Sequence, residues 1–287
     1  MTVDSLGSLK RLPIYAALLV LAIVFASPLL IVLSTSLKSM AEIRAGSLFA
    51  LPHSPTFAAW GKAWSTACTG LDCTGMRFGF VNSVKIAVPS ALLAVMVGAV
   101  NGFALAHGRI KGARLIVLLM LLGAFVPYQV ILYPLVKIFS ALGLFETLPG
   151  IIIIHVIFGI PICTLLFRNY YAALPPEIMR AARVDGAGFW RTFGEVVLPL
   201  SKNMIMVGLI LQLTGIWNDY LIGLIFAGSG NLPMTVQLNN IINTGTGTVE
   251  YNVSMAATII TALPPLLVYF LSGRYFVRGI AAGAVKG

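Results

Sequence analysis

The sequence predicts an all-α membrane protein of six transmembrane helices, on three observations. Hydrophobic residues make up 59% of the 287 residues and charged residues only 10%, where soluble domains carry about 25% charged. The apolar residues gather into six continuous runs, near 14–35, 79–106, 115–136, 148–168, 203–226 and 254–273. Each approximates the roughly 20 residues that a helix needs to cross a hydrocarbon core. Within the runs, hydrophobicity does not alternate with period two, so the spans read as helices rather than barrel strands. A single membrane domain over 1–287 is expected.

The first run follows Lys10 and Arg11. It exceeds the roughly 7–15 apolar residues of a signal peptide and no clear cleavage site follows, so it reads as a retained anchor. The long loop after it carries Cys68-Thr-Gly-Leu-Asp-Cys73. Cys68 and Cys73 can close a disulfide in an oxidising compartment or stay as two free thiols; two cysteines make a poor zinc site. Pro127, Tyr128, Gln129 and Pro134 interrupt the third run. Prolines in a membrane helix free carbonyls that a neighbour or a water-lined cavity must satisfy, which makes Gln129 a candidate for the substrate pathway. The fourth run holds Gly159-Ile160-Pro161, read as a kink, with His155 and Cys163 most simply packing residues.

The fifth run holds Trp217-Asn218-Asp219-Tyr220, and Asp219 is the one acid inside any run. Counted from Asn203 it lies about 24 Å along the helix, in the outer third. An ionisable residue in a membrane helix points to function because its burial is costly. The other reading is a hydrated group near the interface, or the cap of a break. Trp217 and Asn218 tilt the balance towards a pathway, since an aromatic face beside an amide suits a sugar ring and its hydroxyls.

Charge sets the expected topology. Thirteen of the 19 Lys and Arg residues fall on one side, among them Arg109, Lys111, Arg180, Arg183, Arg191 and Lys286. Basic residues collect on the cytoplasmic side, so both termini and the loop 169–202 are placed there. The same bias explains the net charge of +10 without a nucleic-acid partner. Catalytic machinery is not evident: His53, His107 and His155 have no metal-ligand spacing, no phosphate-binding loop occurs, and no paired ionisable groups share one depth. The chain is expected to be non-catalytic and to hold no cofactor of its own.

The loop itself is the most informative stretch. Glu177, Arg180, Arg183, Asp185, Arg191 and Glu195 crowd into it in a chain poor in charge. Pro175-Pro176-Glu177 reads as a helix start, with proline tolerated in the first turn and an acid favoured by the helix dipole. Ile178, Ala181, Ala182 and Asp185 follow at helical spacing, and Gly186 permits a turn. Phe189, Trp190, Phe193, Val196 and Val197 form a second stripe, expected to stop at Leu198-Pro199. The result is a helical hairpin, either presented to a partner or lying on lipid headgroups.

Ala181-Ala182-x-x-Asp185-Gly186-Ala187, followed by Leu198-Pro199, resembles the "EAA" signature of permease subunits of bacterial ABC importers. Nearly the whole chain is similar to the maltose-type carbohydrate permeases. Asn82-Ser83-Val84, Pro127-Tyr128-Gln129, Trp217-Asn218-Asp219 and the ending Gly279 to Gly287 all carry that likeness. Phe167 to Tyr171 and the Cys68/Cys73 loop look most like the glucose/mannose branch. The resemblance implies the type I ABC importer permease fold in the inner membrane, with the hairpin as a coupling helix. It implies a second, non-identical permease, two ATP-binding subunits that hold ATP and Mg, and an extracytoplasmic sugar-binding protein. Ala181, Ala182, Gly186 and Ala187 would then fit an ATPase groove, with Glu177, Arg183 and Asp185 as its polar rim and Lys286 also reaching the ATPases. Arg180 departs from the family, which has a glutamate there. The outside loop from Ala227 to Val253 matches the segment that probes the binding protein, or is a plain connector. The implied function is import of a monosaccharide or small glycoside by alternating access. An ion-coupled secondary transporter or channel acting without an ATPase is the alternative; it would want ionisable groups near the midplane, which these helices lack.

Overall fold

The computed structural model describes residues 4–47, 49–69, 72–108, 110–243 and 249–284, and their side chains except those of 4–10, 12, 125 and 274–284. Arg109 and Lys286, used above for topology and coupling, lie outside the described residues, as do 244–248 of the outside loop. Among the described residues all regular structure is helical. The helices are α1 (Asp4–Ser36), α2 (Met40–Ala45), α3 (Ala58–Ser65), α4 (Arg77–His107), α5 (Ala113–Phe125) and α6 (Leu132–Ala141). They continue as α7 (Leu148–Ala172), α8 (Pro176–Val184), α9 (Phe189–Leu200), α10 (Lys202–Asn218), α11 (Leu221–Phe226), α12 (Met234–Asn243) and α13 (Tyr251–Ala284). Four are long and apolar enough to cross a membrane alone, and two bent pairs raise the number to six.

The chain forms two compact units. One comprises residues 1–77 and 238–261, the other 78–237 and 262–287. In the first, the apolar stretch Pro13–Ser36 of α1 is largely unburied within the chain, with only Thr35 and Ser36 at its end buried, which leaves most of its surface for lipid or another subunit. Beyond it, short polar links gather the connecting segments. Cys68 and Cys73 are joined in a disulfide, and the Asn240 amide donates to the Thr69 carbonyl at 3.0 Å inside that loop. Lys62 pairs with Glu250 at 2.5 Å, and Asn252 donates to the Lys38 carbonyl at 3.0 Å.

The second unit is built on the close approach of α4 and α7. A Cβ added at Gly98 would lie 2.9 Å from the Cys163 carbonyl carbon, and one at Gly102 would lie 2.7 Å from the Arg168 amide nitrogen. Small residues let membrane helices pack backbone to backbone, where dispersion contacts replace the absent hydrophobic drive. Cys163 is thus the small packing residue its position suggested, 1% exposed. Helix α7 remains one helix through Pro161. Its Gly159 makes room for a neighbour, since a Cβ there would sit 2.7 Å from Oε1 of Gln212.

Two expected spans are not straight rods. The third bends by 93° between α5 and α6, through Pro127 and a short 3-10 turn at Tyr128–Ile131. The fifth, expected over 203–226, ends its first helix at Asn218, and α11 starts afresh at Leu221. The reason is local: the Asp219 carboxylate accepts the Ile222 amide at 2.7 Å, which captures a donor in the first turn of the next helix. The second hairpin helix ends one residue past the expected stop at Leu198-Pro199, at Leu200. The preceding residues Thr192–Val197 are wound as a π-helix, and the chain stays helical to Leu200. The wider π turn already leaves backbone groups without α-type partners, so a residue lacking an N–H is accommodated there.

Candidate functional site: a hairpin and a membrane cavity

The hairpin takes its shape from its turn. Helix α8 ends at Val184, and Gly186 adopts φ +69°, the left-handed region in which glycine carries no Cβ penalty. The Ala187 amide donates back to the Ala182 carbonyl at 2.9 Å, and α9 then begins at Phe189. Helix α8 presents two unlike faces. Met179 and Ala182 are buried, and Met179 joins a core with Phe103 of α4, Phe167 and Tyr171 of α7, and Phe193 and Val197 of α9. Glu177, Arg180, Ala181, Arg183, Asp185 and Gly186 lie on the exposed side.

Phe103 is the centre of the attachment. Its ring lies 4.9 Å from Phe189, 5.6 Å from Phe193 and 6.0 Å from Tyr171, centroid to centroid. Aromatic pairs at such separations add to the area they bury. Polar links extend the attachment, since the Tyr170 hydroxyl donates to the Leu200 carbonyl at 2.8 Å. The ring of His107 lies 3.0 Å from the Tyr171 carbonyl through Nε2. The hairpin is therefore continuous with α4 and α7, as a lever must be.

Of the residues expected to dock a partner, Ala182 is turned inward, 5% exposed, and Ala187 is half-buried. Arg180 forms an ion pair with Glu177 one turn earlier, so the basic residue at the altered signature position is locally matched by an acid. Val184 and Trp190 were not singled out as docking groups, yet they are 87% and 68% exposed. Their signal in the sequence was faint, because an apolar residue in an amphipathic stripe reads as buried until the rotation of the helix is known.

The cavity lies among the broken helices, with a volume of about 440 Å³. Its polar lining is Tyr128 beside the α5–α6 bend, His155 of α7, Gln212 of α10 and Asp219 at the α10–α11 break. The Tyr128 hydroxyl is directed at the Asp219 carboxylate. Phe158, Ile216 and other apolar groups complete the wall. Asp219 thus does two things at once, capping α11 and facing the cavity.

Trp217, Asn218 and Gln129 do not line this cavity. Trp217 packs edge-on against Phe80 at 5.8 Å and lines a separate apolar cavity of about 200 Å³ with Pro264 and Pro265. Asn218 and Gln129 are exposed. Successive residues of a helix project about 100° apart, so adjacent positions in Trp217-Asn218-Asp219 need not share a face. No cluster of histidine, cysteine or acidic side chains fit for a metal ion occurs among the described residues.

Comparisons with known proteins agree with this architecture. Residues 94–282 match the family described as binding-protein-dependent transport system inner membrane component. The chain is 32% identical over 282 residues to the osmoprotective compounds uptake permease protein of Synechocystis, covering 96% of this chain and 93% of that one. It is 38% identical over 225 residues to the alpha-glucoside transport system permease protein of Rhizobium meliloti, covering 76% of this chain and 58% of the relative. A probable ABC transporter permease of Pyrococcus horikoshii is 46% identical over 184 residues, or 64% of this chain and 66% of that protein. The fold matches a chain in the crystal structure of a bacterial ABC transporter involved in the import of the acidic polysaccharide alginate. The TM-score is 0.78 at 21% identity, over 94% of this chain and 98% of that one. The chain belongs to the family of inner membrane components of binding-protein-dependent transport systems, as a permease subunit of an ABC transporter.

Proposed function

We propose that the chain forms half of the pore of an ATP-driven sugar importer, with its hairpin as the coupling element. The observation that carries this reading is the two-faced α8, anchored through Met179 in a core shared with α4 and α7 while its opposite face is exposed. Such a face can receive a push, and the shared aromatic core can pass it to the pore helices. ATP and Mg are held by two partner ATPase subunits, and a second, non-identical permease completes the pore. An extracytoplasmic binding protein delivers the cargo. Both termini and the hairpin lie in the cytoplasm, by the distribution of Lys and Arg, and residues 1–287 work as one transmembrane domain.

The cargo is a neutral sugar or small glycoside. The cavity supports that class, because a phenol, an imidazole, a carboxamide and a carboxylate offer hydrogen bonds beside apolar walls. Relatives named for alpha-glucoside and diacetylchitobiose uptake support it as well, and favour it over an ion-coupled carrier acting alone. The test uses the reconstituted transporter with its ATPase subunits and binding protein. A Cβ at Gly186 meets no atom of this chain within 4 Å, so Gly186→Ala imposes backbone strain alone and Gly186→Trp adds bulk on the docking face. The expected result is loss of uptake and of binding-protein-stimulated ATP hydrolysis for the tryptophan variant, well beyond the effect of alanine. Equal activity of the two variants would refute the docking role.

A further inference from the structure

In the unit formed by 1–77 and 238–261, a cavity of about 340 Å³ opens beside the end of α1. Its walls are mainly apolar, from Ile31, Val32, Ile43 and Met255, with Thr35 and Ser47 at its polar margin. Lys38 lines it as well and is only 3% exposed. Among the described residues its ammonium group has no ion pair and no hydrogen bond. Two acids of this unit are engaged elsewhere: Glu42 accepts the His53 amide at 2.5 Å and Glu250 pairs with Lys62.

The stem of Lys38 is buried, but its Nζ opens on the cavity, so its charge faces that space with no counter-charge from the described residues. Here the backbone around it is well held, with the Lys38 carbonyl taking the Asn252 amide and its N–H donating to Thr35. The side chain is therefore fixed beside an empty-walled apolar space that contributes no counter-charge. Depth identifies what supplies one. Lys38 stands two residues beyond the membrane stretch Pro13–Ser36, at the level where lysines reach headgroups. Below it, Leu29, Leu30 and Leu33 of α1 are exposed along the path an acyl chain would follow. A soluble anion would match the charge and leave the apolar wall uncovered.

We propose that this cavity holds an anionic phospholipid, its phosphate on the Lys38 ammonium and the start of an acyl chain against Ile31, Val32 and Met255. The site differs from the Asp219 cavity in residues and in chemistry. It is independent of what the transporter carries, so its failure would leave the proposed function untouched.

The test is native mass spectrometry of the full chain in detergent, with added phosphatidylglycerol or phosphatidylcholine. Wild type is expected to retain phosphatidylglycerol preferentially. Lys38→Met should lower that retention about fivefold, the effect of one basic group near a charged lipid surface, while Lys38→Arg retains it. Lys137→Met, which removes an exposed lysine, should change nothing. Equal loss in the Lys38 and Lys137 variants would overturn the proposal, and so would displacement of the lipid by inorganic phosphate alone. A second measurement needs no variant. Phosphatidylglycerol with a photoreactive acyl chain should cross-link to the peptides containing residues 31–47 and 251–255; labelling spread evenly over the apolar helices would refute the site.

Discussion

Around Phe103, rings and aliphatic side chains from α4, α7, α8 and α9 close into a core without a charged member, and α4 and α7 pass through it unbroken. Around Asp219 the opposite holds: α5 bends into α6, α10 stops before α11, and polar side chains face a cavity. On the proposed reading the two regions do different mechanical work. Interdigitated rings transmit displacement because close-packed interiors resist compression. Broken helices expose backbone and side-chain groups to a ligand, and such breaks are tolerated in a membrane only where they line a cavity or protein interior.

The largest expected effect falls on the packed region. Phe103→Ala removes the ring that Tyr171, Phe189 and Phe193 share and should cost about 3–5 kcal/mol, read as a fall in thermal stability. The loss should be accompanied by ATP hydrolysis that no longer responds to the binding protein. A variant that melts earlier and stays coupled would show that the aromatic core only stabilises the fold.

Next comes the α4–α7 contact. Gly98→Val forces a side chain into Cys163 and should cost about 1–3 kcal/mol by overpacking. Adding Cys163→Gly should restore part of that stability; no recovery in the double variant would mean the crowding lies elsewhere.

A smaller effect is expected at Asp219, and it separates capping from transport. Asp219→Ala loses the acceptor for the Ile222 amide and should cost about 1 kcal/mol. Asp219→Asn keeps an oxygen for that amide, so its melting should match wild type while sugar uptake falls. Full uptake with asparagine would reduce the residue to a cap.

The smallest effect on stability belongs to Arg180. Its pair with Glu177 is exposed, and exposed pairs contribute little. Arg180→Glu, which restores the acid usual in related permeases, should leave melting unchanged and alter the affinity for the ATPase subunits, measured by titration. Unchanged affinity would remove this position from the docking face.

Much of the architecture was legible from the sequence, for identifiable reasons. The spans follow from continuous apolar runs, and the hairpin from Pro176, Gly186 and two amphipathic stripes, all of them local properties. The broken fifth span was half legible: Asp219 drew attention as a lone acid, and capping a break was one of its two readings. The cavity partners were less so. Gln212 gave no signal in an apolar helix and His155 read as packing, while Gln129 and Trp217, which drew attention, do not line this cavity.

The sequence by itself determined that this chain crosses a membrane, where its helices run, and which short segment it displays. Those features depend on hydropathy summed over neighbouring residues and on the backbone limits of glycine and proline. Only the tertiary structure decided that Ala182 turns inward while Ala181 faces out, and that Asp219 and Trp217 serve different cavities. It also decided that Cys68 meets Cys73 in a disulfide and that Lys38 lines a cavity with no ion pair among the described residues. These depend on how each helix is rotated and where it breaks. Packing between residues far apart in the chain sets that rotation, and no window along the sequence contains it.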